Sequence, residues 1–209
     1  MSHYWRHPAV PHLEIRNVED GRRFSHARHS HSTFSIGAIT QGQSTYLNGD
    51  SSRLIGAGSV VLMNPGAVHA CNPVHEQPWA YRMFYVDAQW LAALQQQQRS
   101  SMQKGFVPFA QTHSADVRLF EDLDDLYHTL TADDCLPDTM QDAALVFFQQ
   151  RVARLQPASD DARTEPQKMA QAAAFIREHC ASELRLEDIA SAVQLSPSYL
   201  IRAFKACHG

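Results

Sequence analysis

The chain has 209 residues, of which 44% are hydrophobic and 19% charged, with a formal net charge of −4. That length accommodates one sizeable core plus a small appendage. The acidic balance excludes a protein that coats nucleic acid over its whole surface, because non-specific DNA affinity is built from cationic phosphate contacts. Any DNA-reading surface must be local. Cys71, Cys135, Cys180 and Cys207 show no CxxC spacing and read as free thiols in a reducing compartment. The opening MSHYWRHPAV lacks the apolar stretch of a signal peptide, and no run reaches membrane-spanning length. A soluble, cytoplasmic protein with no membrane partner is expected.

Residues 1–112 are punctuated like a β domain. Phe34–Ile39 alternates and meets Gln41-Gly42. Ser44–Leu47 runs into Asn48-Gly49-Asp50, a strong hairpin signal, and Arg53–Ile55 follows. Ser59–Met63 reads as a short buried strand ended by Asn64-Pro65-Gly66, and Ala80–Val86 as another. Short strands at this spacing suggest a sandwich or small barrel. On Ala80–Val86, alternation sends Tyr81, Met83 and Tyr85 to one face and Arg82, Phe84 and Val86 to the other. Asp87 is placed to cap a short helix over Gln89–Leu94, and Gln95–Ser101 reads as a polar loop or frayed helix end.

From Ser114 the period becomes helical. Val117, Phe120, Leu123, Leu126, Tyr127 and Leu130 form one stripe; after Pro137, residues Met140, Ala144, Phe147, Phe148, Val152 and Leu155 form a second. Two such helices over residues 113–156 can close the β domain or pack on a partner copy. Pro157–Pro166 has the composition of a linker, and a helix over Gln167–Cys180, with Met169, Ala173, Phe175 and Ile176 inward, opens the C-terminal part.

Leu186, Ile189, Ala190 and Val193 then give a short helix one apolar face. Gln194-Leu195-Ser196 makes a tight turn, with Ser196 placed to cap the next helix and Pro197 at its first position. Leu200, Ala203 and Phe204 bury that second helix, leaving Ser198, Ile201, Arg202 and Lys205 outside on a helix without acidic residues. An αα-hairpin inside a helical core gives similar spacing. The capped turn and the exposed cations point instead to a helix-turn-helix, whose second helix enters the major groove.

LEDIASAVQLSPSYLIRAFKACHG resembles the first helix-turn-helix of the AraC family of bacterial transcription regulators, through Ala190, Leu195, Ser196, Tyr199, Leu200, Arg202, Phe204, Lys205 and Gly209. Family members carry two such units joined by a long helix. The second has no counterpart here, so full affinity for promoter DNA is expected to need it. The resemblance places Ser198, Ile201 and Arg202 at base-facing sites, with Ile201 standing where a polar residue is common.

His29-Ser30-His31 puts two imidazoles on one face of a strand, and Asn64–His69 supplies a third after a turn. With Gly42 between them, these resemble the two motifs of the cupin superfamily. Ser35 stands where metal-binding cupins carry an acidic ligand. Three imidazoles can hold zinc, iron or nickel, line a pocket for an organic molecule, or merely bond within a barrel. AraC-type sensor domains are themselves cupin-like, often with an N-terminal arm over the barrel mouth. In this chain Trp5, His7 and His12 could reach the mouth from that arm. The resemblance puts Tyr81 and Met83 at effector-contacting positions.

The expected fold class is therefore α+β. A cupin-like β-barrel with an N-terminal arm (1–112) is followed by two packed helices that carry dimer contacts (113–156), a linker (157–166) and a partial all-α helix-turn-helix domain (167–209). The expected function is an effector-responsive, DNA-binding transcription regulator. It would be a homodimer without enzymatic activity or cofactor. Its effector would meet His29, His31, His69, Tyr81 and Met83, and its DNA would meet Ser198, Ile201, Arg202 and Lys205. The alternative is a metal-dependent cupin enzyme using His29, His31 and His69.

Overall fold

The apolar runs of the first half become strands of two facing sheets in the computed structural model. It describes residues 2–49, 51–74, 77–98, 105–157, 160–180, 183–193 and 195–208, of which 160–167 and 206–208 are described by their backbone alone. One sheet orders β1 (Ser2–Trp5), β2 (Leu13–Val18), β8 (Ala80–Val86), β3 (Phe34–Gln41), β6 (Val60–Met63) and β9 (His113–Ser114) side by side. The other places β4 (Gln43–Asn48) between β5 (Ser51–Gly56) and β7 (His69–Pro73). All pairings between named strands are antiparallel. The β4–β5 hairpin closes at Asn48↔Ser51 with Gly49 at φ +56°, as the Asn-Gly signal requires. Gly42 turns β3 into β4 at φ +70°, where an added Cβ would lie 2.0 Å from the Pro78 carbonyl oxygen. Only glycine fits there.

The larger sheet is buried on both faces, which explains why its central strands are almost wholly apolar. Tyr81, Met83, Ile39, Val61 and Met63 point between the sheets, where they meet Tyr46, Ile55 and Trp79. Ile15, Ile36, Leu62, Phe84 and Val86 point the other way, under the helices. Arg82 also faces outward, as alternation predicts. It pairs with Asp124 and lies over the Tyr127 ring at 4.1 Å, tying the sheet to a helix.

Those helices are α1 (Ala88–Gln98), α2 (Val117–Thr131) and α3 (Pro137–Phe147), the last running on as a π-helical turn over Phe148–Val152. The Asp87 carboxylate accepts the Trp90 N–H (2.7 Å), the expected cap. The helix is longer than predicted, because Gln95 is fully buried and its amide both donates to the Val107 carbonyl (2.7 Å) and accepts the Val107 N–H (2.8 Å). A glutamine read as polar loop is thus a buried staple. On α2 the inward row is Leu119, Leu123, Leu126 and Leu130, with Phe120 and Tyr127 half-buried at its edge; Val117, expected inward, is 65% exposed in the first turn. The wide turn after α3 lets the consecutive Phe147 and Phe148 both enter the core.

The segment expected as a linker is largely helical: α4 covers Asp160–Glu178. Its Ala, Arg and Glu are good helix formers, and polarity alone does not distinguish a linker from an exposed helical turn. Along α4, Met169 and Ala172 are buried, whereas Ala173, Phe175 and Ile176 are half-buried. Pro157 bridges Phe109, so the chain touches the barrel just before this helix. α5 (Leu186–Ala192) and α6 (Pro197–His208) complete a separate small core with α4. Asp50, residues 99–101, 158–159, Gln194 and Gly209, and the Cys207 side chain, lie outside the described residues. No helix among the described residues is long and apolar enough to cross a membrane.

Candidate functional site

His29 and His31 stand on the segment leading into β3 rather than on a strand. What aligns them is a backbone bridge. The His29 N–H donates to the His69 carbonyl (3.1 Å) and the His69 N–H to the His29 carbonyl (2.9 Å), while the Gly66 N–H donates to the His31 carbonyl (2.9 Å). The Asn64–His69 turn, with Gly66 at φ +76°, thereby carries His69 against the His29-Ser30-His31 segment. Asn72 on β7 fixes the start of that segment, accepting the His26 N–H (2.7 Å) and donating to the His26 carbonyl (3.2 Å).

The ring nitrogens follow a common pattern. Nδ1 of His29 lies 2.9 Å from the Ala27 carbonyl, Nδ1 of His31 lies 3.2 Å from that of Thr33, and Nδ1 of His69 lies 2.8 Å from that of Ala67. A carbonyl only accepts, which places the proton on Nδ1 of His29 and His69 and leaves their Nε2 with a lone pair, whereas Nδ1 of His31 also lies 3.1 Å from the Thr33 hydroxyl, which can donate to it. One potential ligand atom from each ring lies within 4.8 Å of the others. Burial lowers the His69 pKa to about 4 and also lowers that of His31, so both imidazoles are neutral near pH 7.

This cluster opens on a cavity of about 50 Å³ between the sheets, which Tyr81 and Met83 also line. All five residues expected at an effector site therefore share one pocket. Sequence reasoning missed several other walls: Arg16, His26, Ile39, Met63, Cys71 and Trp79. Arg16 pairs in register with Met83 and so shares its inward face. Alternation along Leu13–Val18 carries that signal, with Leu13 and Ile15 on the opposite face. Burial raises the Tyr81 hydroxyl above its ordinary range and pushes the Cys71 thiol up to about 12, leaving both uncharged. Trp5, His7 and His12 do not line this cavity. Residues 2–5 are an edge strand paired with β2, and His12 stacks on Trp90 at 3.7 Å.

The second candidate surface lies on α6. Ser196 Oγ accepts the Tyr199 N–H (3.3 Å), capping the helix, and Pro197 opens it. At the start of α5, the Asp188 carboxylate accepts the Arg185 N–H (3.2 Å). Leu200 and Ala203 pack on Met169, Ala172, Ala190 and Val193. Ser198, Ile201, Arg202 and Lys205 are all exposed, with Ile201 at 51%, on a helix free of acidic side chains. The Arg202 guanidinium lies 5.8 Å from the Tyr199 ring centre.

Comparison with known proteins agrees with both halves. Residues 14–146 match the family model of the AraC-like ligand binding domain, and residues 176–206 match that of bacterial regulatory helix-turn-helix proteins of the AraC family. The chain belongs to the AraC family. It is an effector-responsive, DNA-binding transcription regulator, and this membership favours that reading over a metal-dependent enzyme. Among solved structures, an apo variant of ToxT from Vibrio cholerae matches 93% of this chain and 75% of its own, with 12% identity and a TM-score of 0.54. A second ToxT structure from the same organism covers 95% of this chain and 75% of its own at 9% identity and a TM-score of 0.54. A third, wild-type ToxT with an unsaturated fatty acid bound, covers 93% and 73% at 14% identity and 0.52. At such identities the likeness concerns the fold, an antiparallel sheet domain followed by helices. No curated protein sequence matches the chain.

Proposed function

We propose that the effector of this regulator binds between the two sheets, against His29, His31, His69, Tyr81 and Met83, and that α6 meets promoter DNA through Ser198, Ile201, Arg202 and Lys205. The observation that carries the first half is the convergence of three oriented imidazoles on the cavity that Tyr81 and Met83 line. The second half is supported by an acid-free helix face whose polar residues pack against nothing in their own core. Drug-sized ligands occupy pockets of roughly 300–1,000 Å³, so a cavity of about 50 Å³ favours a small polar effector. A long acyl chain such as the fatty acid bound to ToxT would require the sheets to part.

The domain division follows the two cores, with the barrel and its covering helices running to about residue 157 and the reading domain from α4 onward. The regulator acts in the cytoplasm as a homodimer. Val117, Leu136, Leu145 and Val146 give the helices after the barrel an exposed apolar surface suited to a second copy. Regulation is a population shift: the effector favours one arrangement of sensor and reader by its difference in affinity for the two. A thermal-shift screen of small polar metabolites tests the pocket. A ligand of the folded state raises the melting temperature by mass action, and Tyr81→Ala or Met83→Ala should abolish that rise. A hit unaffected by either substitution would move the effector elsewhere. Sedimentation showing only monomer at high concentration would remove the homodimer.

A further inference from the structure

We infer that the effector is a small hydroxycarboxylate, its carboxylate held by Arg16 and the Tyr81 hydroxyl and its own hydroxyl donating to the imidazoles of His29 and His69. The inference deepens the reading of the cavity between the sheets as the regulator's ligand pocket and rests on that reading.

An arginine in a barrel wall stays charged and calls for an anion. Arg16 stands on β2, half-buried, in register with Met83 of β8, and lines the cavity. Its guanidinium is held in place without being neutralised. Nε donates to Ser2 Oγ (3.0 Å), the central carbon lies 5.4 Å and 5.1 Å from the ring centres of Tyr4 and Phe24, and the group also reaches the Tyr85 hydroxyl. Rings and hydroxyls fix the plane of the fork and leave its charge. Two residues earlier on the same strand face, Glu14 is paired with Arg6 instead. Among the described residues no ion pair engages Arg16 and no carboxylate lines the cavity. A guanidinium carries five N–H donors, so Ser2 and Tyr85 leave most of them without an acceptor. A planar carboxylate matches that fork with two parallel, charge-assisted bonds. The Tyr81 hydroxyl, buried in the same wall, makes no hydrogen bond among the described residues and supplies a further donor.

The other end of the cavity has the opposite chemistry. The charge of Arg16 acts on His26, Tyr81 and Tyr85, whereas the charges acting on His69 are those of neighbouring imidazoles. His29 and His69 commit their Nδ1 protons to backbone carbonyls, so their Nε2 atoms accept. A bare carboxylate would set its own lone pairs against these, while a hydroxyl donates to them. The molecule that satisfies both ends is anionic at one and a hydroxyl donor at the other. Ile39, Met63 and Met83 add apolar walls for the carbons that join the two groups. A cavity of about 50 Å³, at roughly 10–15 Å³ per water, takes a few water-sized groups, the scale of glycolate or lactate.

The test titrates the full chain, by calorimetry and thermal shift, with glycolate, lactate, propionate (lactate without its hydroxyl) and lactamide (lactate without its charge). We expect one glycolate or lactate per chain and a raised barrel melting temperature, with propionate and lactamide at least about tenfold weaker than lactate. Arg16→Gln should weaken lactate by about 10–100-fold, the range for a hydrogen bond to a charged partner, while lactamide binds as before. An arginine that only supported the wall would weaken both alike, and that result overturns the inference. Arg16→Lys, which keeps the charge and loses the fork, should retain only part of the affinity, and it carries the comparison should Arg16→Gln fail to fold. His29→Ala, at an exposed position, should shrink the preference for lactate over propionate. Arg22→Gln, whose arginine pairs with Asp20 outside the cavity, should bind like wild type. Absence of binding by both hydroxycarboxylates, equal binding of propionate or lactamide, or Arg16 variants that bind lactate normally would each overturn the inference. A neutral or cationic effector whose binding Tyr81→Ala abolishes would also overturn it, yet would leave the pocket as the effector site. An effector that needs no cavity residue would instead remove the pocket reading itself.

Discussion

The barrel hides its candidate ligands among its largest side chains, whereas the C-terminal domain displays its candidate contacts on the outside of a core made of small ones. Between and around the sheets Trp79, Tyr46, Phe34, Phe84, Phe109 and Phe148 are fully buried. The reading domain buries Met169, Ala172, Ala190, Val193, Leu200 and Ala203. Apolar burial contributes roughly 25 cal/mol per Å², so the two regions differ greatly in what holds them together. They also differ in how binding relates to folding. His69 and Tyr81 serve the core and the pocket together, so altering them disturbs both. Arg202 and Lys205 serve only the surface, so recognition there can change while the fold stands.

The strongest way to break this contrast is to remove a core residue from each region. Phe84 is fully buried between β8 and the covering helices, and Phe84→Ala should cost about 3–5 kcal/mol by urea unfolding, through lost transfer energy and a cavity. Leu200→Ala should instead melt only the reading domain and leave the barrel transition in place. A single transition that both substitutions lower equally would show that the two cores fold as one unit.

Next in size is a pH effect confined to the barrel. Burial lowers the His69 pKa to about 4 from an ordinary 6.5. Above pH 6.5 the ring is neutral whether folded or unfolded, and no penalty arises. As pH falls from 6.5 to 4, the unfolded chain takes up the proton first, so folding loses about 3 kcal/mol across that window. His31 and His26 shift in the same direction, chiefly through burial. Urea titrations at pH 7 and pH 4.5 measure the loss, and His69→Gln should reduce it. An equal loss in His69→Gln would place the acid sensitivity elsewhere.

How much of each region was legible follows from the range of the forces involved. Much of the reading domain was present in local pattern: Ser196, Pro197 and the spacing of Leu200 and Ala203 are short-range signals, and that cap and those two core residues stand where they were expected, whereas on α4 Ala172 is buried and Ala173, Phe175 and Ile176 only half-buried. The strands and the Asn-Gly hairpin were legible for the same reason. The pocket was half legible. The two histidine motifs lie almost forty residues apart in sequence, and backbone hydrogen bonds from the Asn64–His69 turn, to His31 and in the His29–His69 bridge, unite them. Arg16, Trp79 and Cys71 come from three further segments and carry no mutual spacing. Gln95 and Asn72 could not be foreseen as staples, since a lone amide looks the same in sequence whether it faces water or a backbone. The start of α4 was misread because polar helix formers resemble a linker.

The surface half of the contrast is sharpened by Arg202→Ala. The side chain is exposed and outside the small core, so unfolding stability should stay within about 0.5 kcal/mol. Affinity for a duplex selected by the protein from random DNA should fall by about 1–3 kcal/mol if the guanidinium reads a base, as anisotropy titration would show. Equal weakening on all sequences would demote Arg202 to a phosphate contact. Unchanged affinity would remove it from the interface.

The smallest expected effect separates the scaffold of the reading helix from its reading face. Ser196 Oγ accepts the Tyr199 N–H, and such a cap is typically worth about 1 kcal/mol. In a core whose buried residues include three alanines, that amount is a noticeable share of the domain's stability. Ser196→Ala should therefore lower the reading-domain transition while the barrel transition stays fixed. DNA affinity should fall only by the small unfolded fraction that the lost cap creates, and lower temperature should restore it. Ser196→Asp, which supplies another capping acceptor, should recover the stability. If it recovers stability while DNA affinity drops further, then Ser196 lies against the phosphates, where a carboxylate is repelled, and the boundary between scaffold and reading face must move back by one turn.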